Sequence, residues 1–533
     1  MEEKISKGNY RFRINKITFT FVILLFYTNV IAQSIQWQKS LGGTGVEIAT
    51  AIEETTDKGF IVVGYSGSND GDVTNHHGNY GVDYWIVKLD YEGTIQWQKS
   101  LGGLGDDYAF SVNQTTDGGY IVAGSSYSID GDLTMNYGSL DYWIVRLDSY
   151  GNIDWQKSFG GAGIDEAQSI QQTEDKGFIV AGYTYSKDGN VNGNHGQSDY
   201  WIIKLDSIGN IQWSKLLGGT NDERASSIQQ TKDKGYIVAG YSYSNDGDVT
   251  DNHGLCDYWI IKLDSNGGVQ WQKMLGGTLE ERASSIKQTT EGGYIIAGFS
   301  YSNDGNVTDH RGNNFKHDYW IVKIDENGNL QWQKSLGGTN DDGATSVFQT
   351  FDNHYIVVGY SVSDDGDITE HRGWADYWIV KLDSTGTLVW QKGLGGTSSE
   401  LAFSIQQTNE GGYIIGGNSS SMDNDVTGNH GGEDFWIVKL DDMQTGTINI
   451  NGQQNILIYP NPASEQLTID LIGHGFIPEG TTVSLLSATG EKVLEKSVTD
   501  FITSLNVEGQ PKGLYFIKIE NTDKYYIEKL ILY

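Results

Sequence analysis

Runs of β-branched and aromatic residues, broken by Gly, Asn and Asp, fill most of this chain, and they recur. The string Ile35-Gln36-Trp37-Gln38-Lys39-Ser40-Leu41-Gly42-Gly43 returns with its tryptophan at Trp97, Trp155, Trp213, Trp271, Trp332 and Trp390. A second string, Asp83-Tyr84-Trp85-Ile86-Val87-Lys88-Leu89-Asp90, returns with Trp143, Trp201, Trp259, Trp320, Trp378 and Trp436. Successive copies lie 58 to 61 residues apart, and the two strings hold 14 of the 15 tryptophans. A period of that length and composition predicts one small sheet per repeat.

Four strands are predicted in each unit; in the third they fall near Ser169–Thr173, Phe178–Tyr183, Tyr200–Leu205 and Ile211–Leu217. Turns such as Asp117-Gly118-Gly119 and Ser265-Asn266-Gly267 separate the first strand from the second and the third from the fourth. Four short antiparallel strands repeated radially describe a propeller blade, and seven blades close a ring. A β-solenoid is the rival, but its coils need only ~20 to 30 residues and would not give two tight hairpins per period. The array opens with a fourth-type strand, Ile35–Leu41, and its seventh unit stops after a third-type strand, Phe435–Leu440. Pairing these two would hold the ring shut and remove free edges. Both repeated tryptophans then pack between sheets.

Composition narrows the function. Against 69 acidic residues stand 36 basic ones, a formal charge of −33, so nucleic acid and anionic membrane surfaces are excluded as partners. Cations and neutral polymers such as glycans remain. A single cysteine, Cys256, rules out an intramolecular disulfide and a Cys-based zinc cluster. No apolar run reaches the ~18 residues of a membrane-spanning helix. At the N-terminus, Lys4, Lys7, Arg11, Arg13 and Lys16 precede the mostly apolar Ile17–Ala32, the layout of a secretory signal peptide. Val30 and Ala32 suit signal peptidase, whose cut would leave Gln33 first. A membrane anchor is the alternative, opposed by Thr18, Thr20, Thr28 and Asn29. No cysteine near the cut invites lipoprotein processing.

All four prolines lie beyond residue 455 and no tryptophan does, which predicts a boundary near 442–455. The expected organisation is a signal peptide at 1–32, an all-β seven-bladed propeller at 33–441, a linker at 442–454 and a small Ig-like β-sandwich of about seven strands at 455–533. Four motifs follow in order: Tyr459-Pro460-Asn461-Pro462 with Leu467-Thr468-Ile469, Ser487-Ala488-Thr489-Gly490, Gly513-Leu514-Tyr515-Phe516-Ile517, and Lys529-Leu530. They resemble the type A C-terminal sorting domain of the type IX secretion system. The resemblance implies the secretion machinery as partner, and a route through the periplasm and outer membrane of a Gram-negative bacterium to release or surface attachment. The repeats also look like tandem repeats of secreted propellers in such bacteria, from which no activity transfers.

Strand order predicts that the links between blades and the loops joining second to third strands share one face, which carries the carboxylates. One acid sits in each link: Glu47, Asp107, Asp165, Glu223, Glu281, Asp342 and Glu400. Each loop carries more, including the pairs Asp70/Asp72, Asp130/Asp132, Asp246/Asp248 and Asp365/Asp367, and ends at an Asp equivalent to Asp83. Such oxygens suit Ca²⁺, although the spacing fits neither an EF-hand nor a sialidase Asp-box. Used identically in seven copies, they equally suit Asx turns and capping of loop amides. The loop histidines His77, His195, His253 and His430 lie too far apart to share a metal, and Cys256 reads as a tucked thiol.

Sevenfold sameness argues against catalysis, which needs unlike residues at one point, so no catalytic residue is assigned. Departures from the repeat cluster in the fifth and sixth blades: Arg311 and Arg372 replace histidines, three residues are added around Phe315-Lys316-His317, and Trp374 is the tryptophan outside both strings. Arg311, Phe315, His317, Arg372 and Trp374 are therefore the candidate ligand-binding residues, for a glycan or an extracellular protein. Three functions remain in play: a non-enzymatic binding or adhesion protein, a carbohydrate-active hydrolase or lyase, and a calcium-stabilised spacer.

Overall fold

A computed structural model describes residues 33–532 except 79, 313–314, 442–455, 460–462, 464, 472–477, 479, 488–490 and 522–524. The expected signal peptide and linker lie outside the described residues. Between Ile35 and Leu440 the chain forms seven antiparallel sheets of four strands each. In the third blade these are an inner strand Asp165–Gln172, a second Phe178–Thr184, a third Asp199–Leu205 and an outer Ile211–Leu217. Inner strands start earlier than the hydrophobic alternation suggests. A bulge between Ala167 and Ser169 puts the apolar positions out of step with a period of two.

Third strands are buried along their whole length, save for half-buried Lys381 in the sixth blade, because each blade is sandwiched between two others. Inner strands pack on one another in sequence, and the last, Glu400–Gln407, packs on the first, Glu47–Glu54, so the seven sheets form a closed ring. The N-terminal strand Ile35–Leu41 completes the seventh blade antiparallel to Asp434–Leu440, with Ser40 opposite Trp436. Trp436 Nε1 donates to Gln38 Oε1 at 2.8 Å, the bond that Trp85 makes with Gln98 inside the first blade.

Both tryptophan series pack between blades as expected. Trp143 meets Tyr84 of the preceding blade at 4.5 Å between centroids, and Trp97 meets Tyr120 of the following one at 5.8 Å. In six junctions the third-strand tyrosine also donates its buried hydroxyl to a tryptophan carbonyl of the next blade, as Tyr84 does to Trp143 O at 2.9 Å. At the closing junction Phe435 meets Trp85 at 4.5 Å without a hydroxyl. Replacing Phe435 by Tyr is expected to add that bond and stabilise the ring by about 1 kcal/mol, read as a higher urea midpoint with an unchanged slope.

Beyond the ring, seven further strands among the described residues form a three-stranded and a four-stranded sheet. They enclose one core that includes Leu467, Ile469, Val483, Leu485, Leu505, Ile517 and Ile519, which makes a β-sandwich.

Candidate functional site

Hydrogen bonds fix the two faces of the ring. In the first blade Asp72 N donates to Gly42 O and Gly67 N to Val46 O, which ties the 67–82 loop to the incoming link. The opposite face carries tight turns, where Lys88 Nζ bridges Asp57 Oδ2 at 3.0 Å.

Most carboxylates on the long-loop face hold its backbone in place. Asp70 accepts from Thr44 N and Oγ1 at 2.8 and 2.9 Å, and Asp72 from Gly42 N at 3.2 Å. Asp130 and Asp132 take Leu104 N and Gly102 N, Asp246 and Asp248 take Thr220 N and Gly218 N, and Asp365 and Asp367 take Thr339 N and Gly337 N. These eight positions thus act as loop caps. Among the described residues no group of three or more His, Cys, Asp or Glu side chains is arranged to hold a metal ion.

Deeper at each junction two acids meet. Glu47, fully buried, accepts from Ser66 Oγ at 2.8 Å and Gly43 N at 2.7 Å, and a side chain on Gly42 would lie 2.4 Å from Glu47 Oε2 and 2.6 Å from Asp434 Oδ1. Asp434 in turn accepts from His430 N and Nδ1, as Asp83, Asp199 and Asp257 do from His77, His195 and His253. Burial pushes Asp107 and Asp342 up to about 6 and Asp141 up to about 7, with the neighbouring acid adding to each shift. A carboxyl raised in the folded state binds its proton more tightly there than in the unfolded chain. Stability therefore falls as pH rises from about 4 to about 6 for Asp107 and Asp342 and to about 7 for Asp141, and levels off above. Urea midpoints are expected to be higher at pH 5 than at pH 8, and a flat profile would refute these buried pairs.

The structure disperses the five residues singled out as ligand-binding. Arg311 pairs with Asp367 at 2.8 Å and Arg372 with Asp425 at 3.2 Å, so both guanidiniums stitch one blade to the next. His317 is buried against Phe299 and Tyr301. Phe315 and Trp374 are 85% and 79% exposed on loops of adjacent blades. Cys256 is buried and its thiol is pushed well up by burial, as expected of a tucked side chain.

A more ordered constellation lies where the inner strands meet the long-loop face. At the junction of the third and fourth blades, Tyr183 and Tyr185 stand edge to face and the Arg224 guanidinium lies 4.6 Å from the Tyr183 ring centre. Arg224 Nη2 donates to Tyr185 OH, which donates to Asp222 Oδ1, each at 2.8 Å. The next junction repeats this: Tyr241 and Tyr243 stand edge to face, Arg282 lies 5.0 Å from the Tyr241 centre, and its Nη2 reaches Tyr243 OH at 2.6 Å and Glu280 Oε2 at 2.9 Å. At the third junction the aromatic pair is Phe299 and Tyr301, but the inner strand offers only Gly343. The ring of Tyr360 fills the space beside Gly343, 2.9 Å from where a Cβ would stand, and His317, from the inserted loop, lies 4.6 Å from Phe299, 3.1 Å from Tyr360 OH, and is paired with Asp341 at 3.1 Å. Sequence reasoning missed these three stations. The available signal was the second inner-strand position, which varies as Ile48, Tyr108, Glu166, Arg224, Arg282, Gly343 and Leu401 between an invariant acid and an invariant alanine.

Along the axis, nearer the turn face, lies one further departure. Glu53 and Lys287 act on each other's charge although two blades separate their strands, which places both side chains in the axial space. Burial pushes Glu53 up to about 7, against hydrogen bonds from Gln114 N and Asn113 Nδ2.

In the C-terminal strands, Tyr459 pairs with Thr468 and Gly513 with Leu532, Tyr515 OH donates to Pro511 O at 2.9 Å, and Lys529 pairs with Phe516. Pro460, Asn461, Pro462 and Gly490 lie outside the described residues. The model of the secretion system C-terminal sorting domain family matches residues 457–533. This segment is a secretion sorting domain. The sorting domain marks the chain for the cell surface or the extracellular space and implies contact with the secretion machinery. Among curated proteins, the regulatory protein FlaEY of Caulobacter vibrioides is 23% identical over 209 residues, 36% of this chain but only 21% of that relative's length. Two solved structures are similar at 10% identity. PorZ of Porphyromonas gingivalis, an essential surface component of its type IX secretion system, has a TM-score of 0.27 with 94% of this chain and 75% of that one covered. The Pan2 WD40 domain of Neurospora crassa has a TM-score of 0.39, with 75% and 95% covered. Likenesses at these scores do not bear on function.

Proposed function

We propose that the chain is an exported, non-enzymatic binding protein whose partner docks on the long-loop face of the propeller, the sorting domain serving delivery. One observation carries this reading: exposed large apolar side chains collect on that face. Val46, Tyr80, Leu104, Tyr127, Ile129, Met135, Tyr137, Leu255, Phe315, Trp374 and Met422 lie on its loops and links, whereas the turn end of the blades shows Tyr150, Ile208 and Phe351 and, at the starts of outer strands, Ile153, Ile211, Val269, Leu330 and Val389, each less than half exposed. Apolar surface gathered on one side of an acidic, otherwise polar molecule marks an interaction surface.

The double variant Phe315→Ala, Trp374→Ala tests the reading. Binding of the exported protein to glycan and bacterial-surface protein arrays is expected to weaken by about tenfold or more, with the urea midpoint unchanged because both rings are exposed. Wild-type affinity in the variant would remove this patch from the interface.

Glu53 favours the enzymatic alternative, since a carboxyl raised to about 7 in an axial space suits acid catalysis. It has no acidic companion at its level. The equivalent inner-strand positions are Asn113, Gln171, Gln229, Lys287, Phe348 and Gln406, whereas a glycosidase of the usual kind needs a second carboxylate within roughly 5 to 10 Å. Absence of hydrolysis products from bound glycan separates the two readings.

A further inference from the structure

We propose that the three stations at the inner end of the long-loop face form a binding track for an uncharged polysaccharide, each station receiving one segment of the polymer. The inference rests on the binding reading above and names its ligand class. Each station offers the same parts: two aromatic rings set edge to face, a planar nitrogen-bearing group beside them, and a carboxylate. The parts are Tyr183, Tyr185, Arg224 and Asp222; then Tyr241, Tyr243, Arg282 and Glu280; then Phe299, Tyr301, His317 and Asp341.

Sugar rings present an apolar C–H face and a rim of hydroxyls, which matches an aromatic plate flanked by donors and acceptors held in place. Here the polar groups are held already. Arg282 bridges Tyr243 OH and Glu280, and Tyr185 OH relays Arg224 to Asp222, so little rotamer freedom is lost on binding. Tyr185, Tyr243 and Tyr301 remain half-buried rather than enclosed.

Charge selects the class. Arg282 is matched by Glu280 at 2.9 Å, Arg224 feels Glu166 nearby, and Lys316 is matched by Asp341 at 2.6 Å, which leaves the stations close to neutral within a chain of net charge −33. Such a field repels polyanions. Repetition points to a polymer, because three equivalent stations in consecutive blades suit a ligand that itself repeats. The third station departs from the repeat: the ring of Tyr360 fills the space beside Gly343, and the inserted loop sets His317 against Phe299 and Tyr301.

The test uses the full exported chain and soluble neutral polysaccharides, a β-glucan and a mannan, beside polygalacturonate, titrated calorimetrically at low salt and at about 0.5 M NaCl. Binding of at least one neutral polymer, insensitive to salt, is expected. Tyr243→Ala should weaken it about tenfold and Tyr185→Ala with Tyr243→Ala by more, while Tyr243→Trp, which keeps a plate, should retain it. Unchanged urea midpoints show that the alanine variants fold. The proposal is overturned if no neutral polymer binds, if polygalacturonate binds better and salt abolishes it, or if Tyr243→Ala binds like the wild type. Loss of affinity in Phe315→Ala, Trp374→Ala for a protein ligand, with no glycan bound, would overturn this inference and leave the binding reading standing; failure of every glycan and protein probe would remove both.

Discussion

A chain lacking Ile35–Leu41 is expected to lose the closed ring and, with it, cooperative folding. Seven residues of the seventh blade would go, exposing the edge of Asp434–Leu440, a strand buried along its whole length. Leu41 and Trp37 would leave the junction they share with Phe60, Trp85 and Phe435, and Trp436 Nε1 would lose Gln38. No disulfide offsets the loss, since Cys256 is the single cysteine. Proteins of this kind are stable by about 5 to 15 kcal/mol in all, and removing a quarter of one blade consumes that margin. Size-exclusion chromatography and circular dichroism should show aggregates or strand-exchanged dimers, the usual fate of a free edge. Adding a peptide of residues 33–43 should restore part of the monomer. A monomeric deletion variant with the wild-type urea midpoint would contradict the closure.

The second large effect is expected at Gly240. A Cβ there would lie 2.0 Å from Arg224 O, a backbone atom, and 2.6 Å from Tyr200 OH, which is buried and donates to Trp259 O. Gly240→Ala must move the inner strand or break the inter-blade tyrosine bond, at a cost of about 3 kcal/mol or more. Gly118 is the control. It has φ +88° and nothing within 4 Å of a built Cβ, so Gly118→Ala meets only the left-handed backbone penalty of about 1 kcal/mol. Chemical denaturation of both variants should give this order, and the reverse would show that the second strand does not press on the inner one.

Repetition made the ring legible. Two tryptophan strings seen seven times average out local ambiguity, and an unpaired outer strand at one end with an unfilled place at the other left one way to close. Local pattern failed where the backbone departs from period two, as at the bulge between Ala167 and Ser169. The candidate site was less legible. Arg311 and Arg372 stand out in the sequence because they break the repeat, yet they do so in order to pair with Asp367 and Asp425 across junctions. Arg224 and Tyr185 are 39 residues apart and belong to different blades, so no spacing rule brings them together. What betrays them is one variable column between two constant ones. The loop aspartates were legible as caps or as calcium ligands, and their contacts with loop amides show the first use.

Amide hydrogen exchange, with and without a bound neutral polysaccharide, tests most directly whether the long-loop face does the binding. Slowed exchange is expected in the segments 185–198, 243–256, 301–317 and 362–375, the loops that border the stations and the exposed rings. Protection confined to the turns at 148–152, 206–210 and 350–354, on the opposite face, would contradict it.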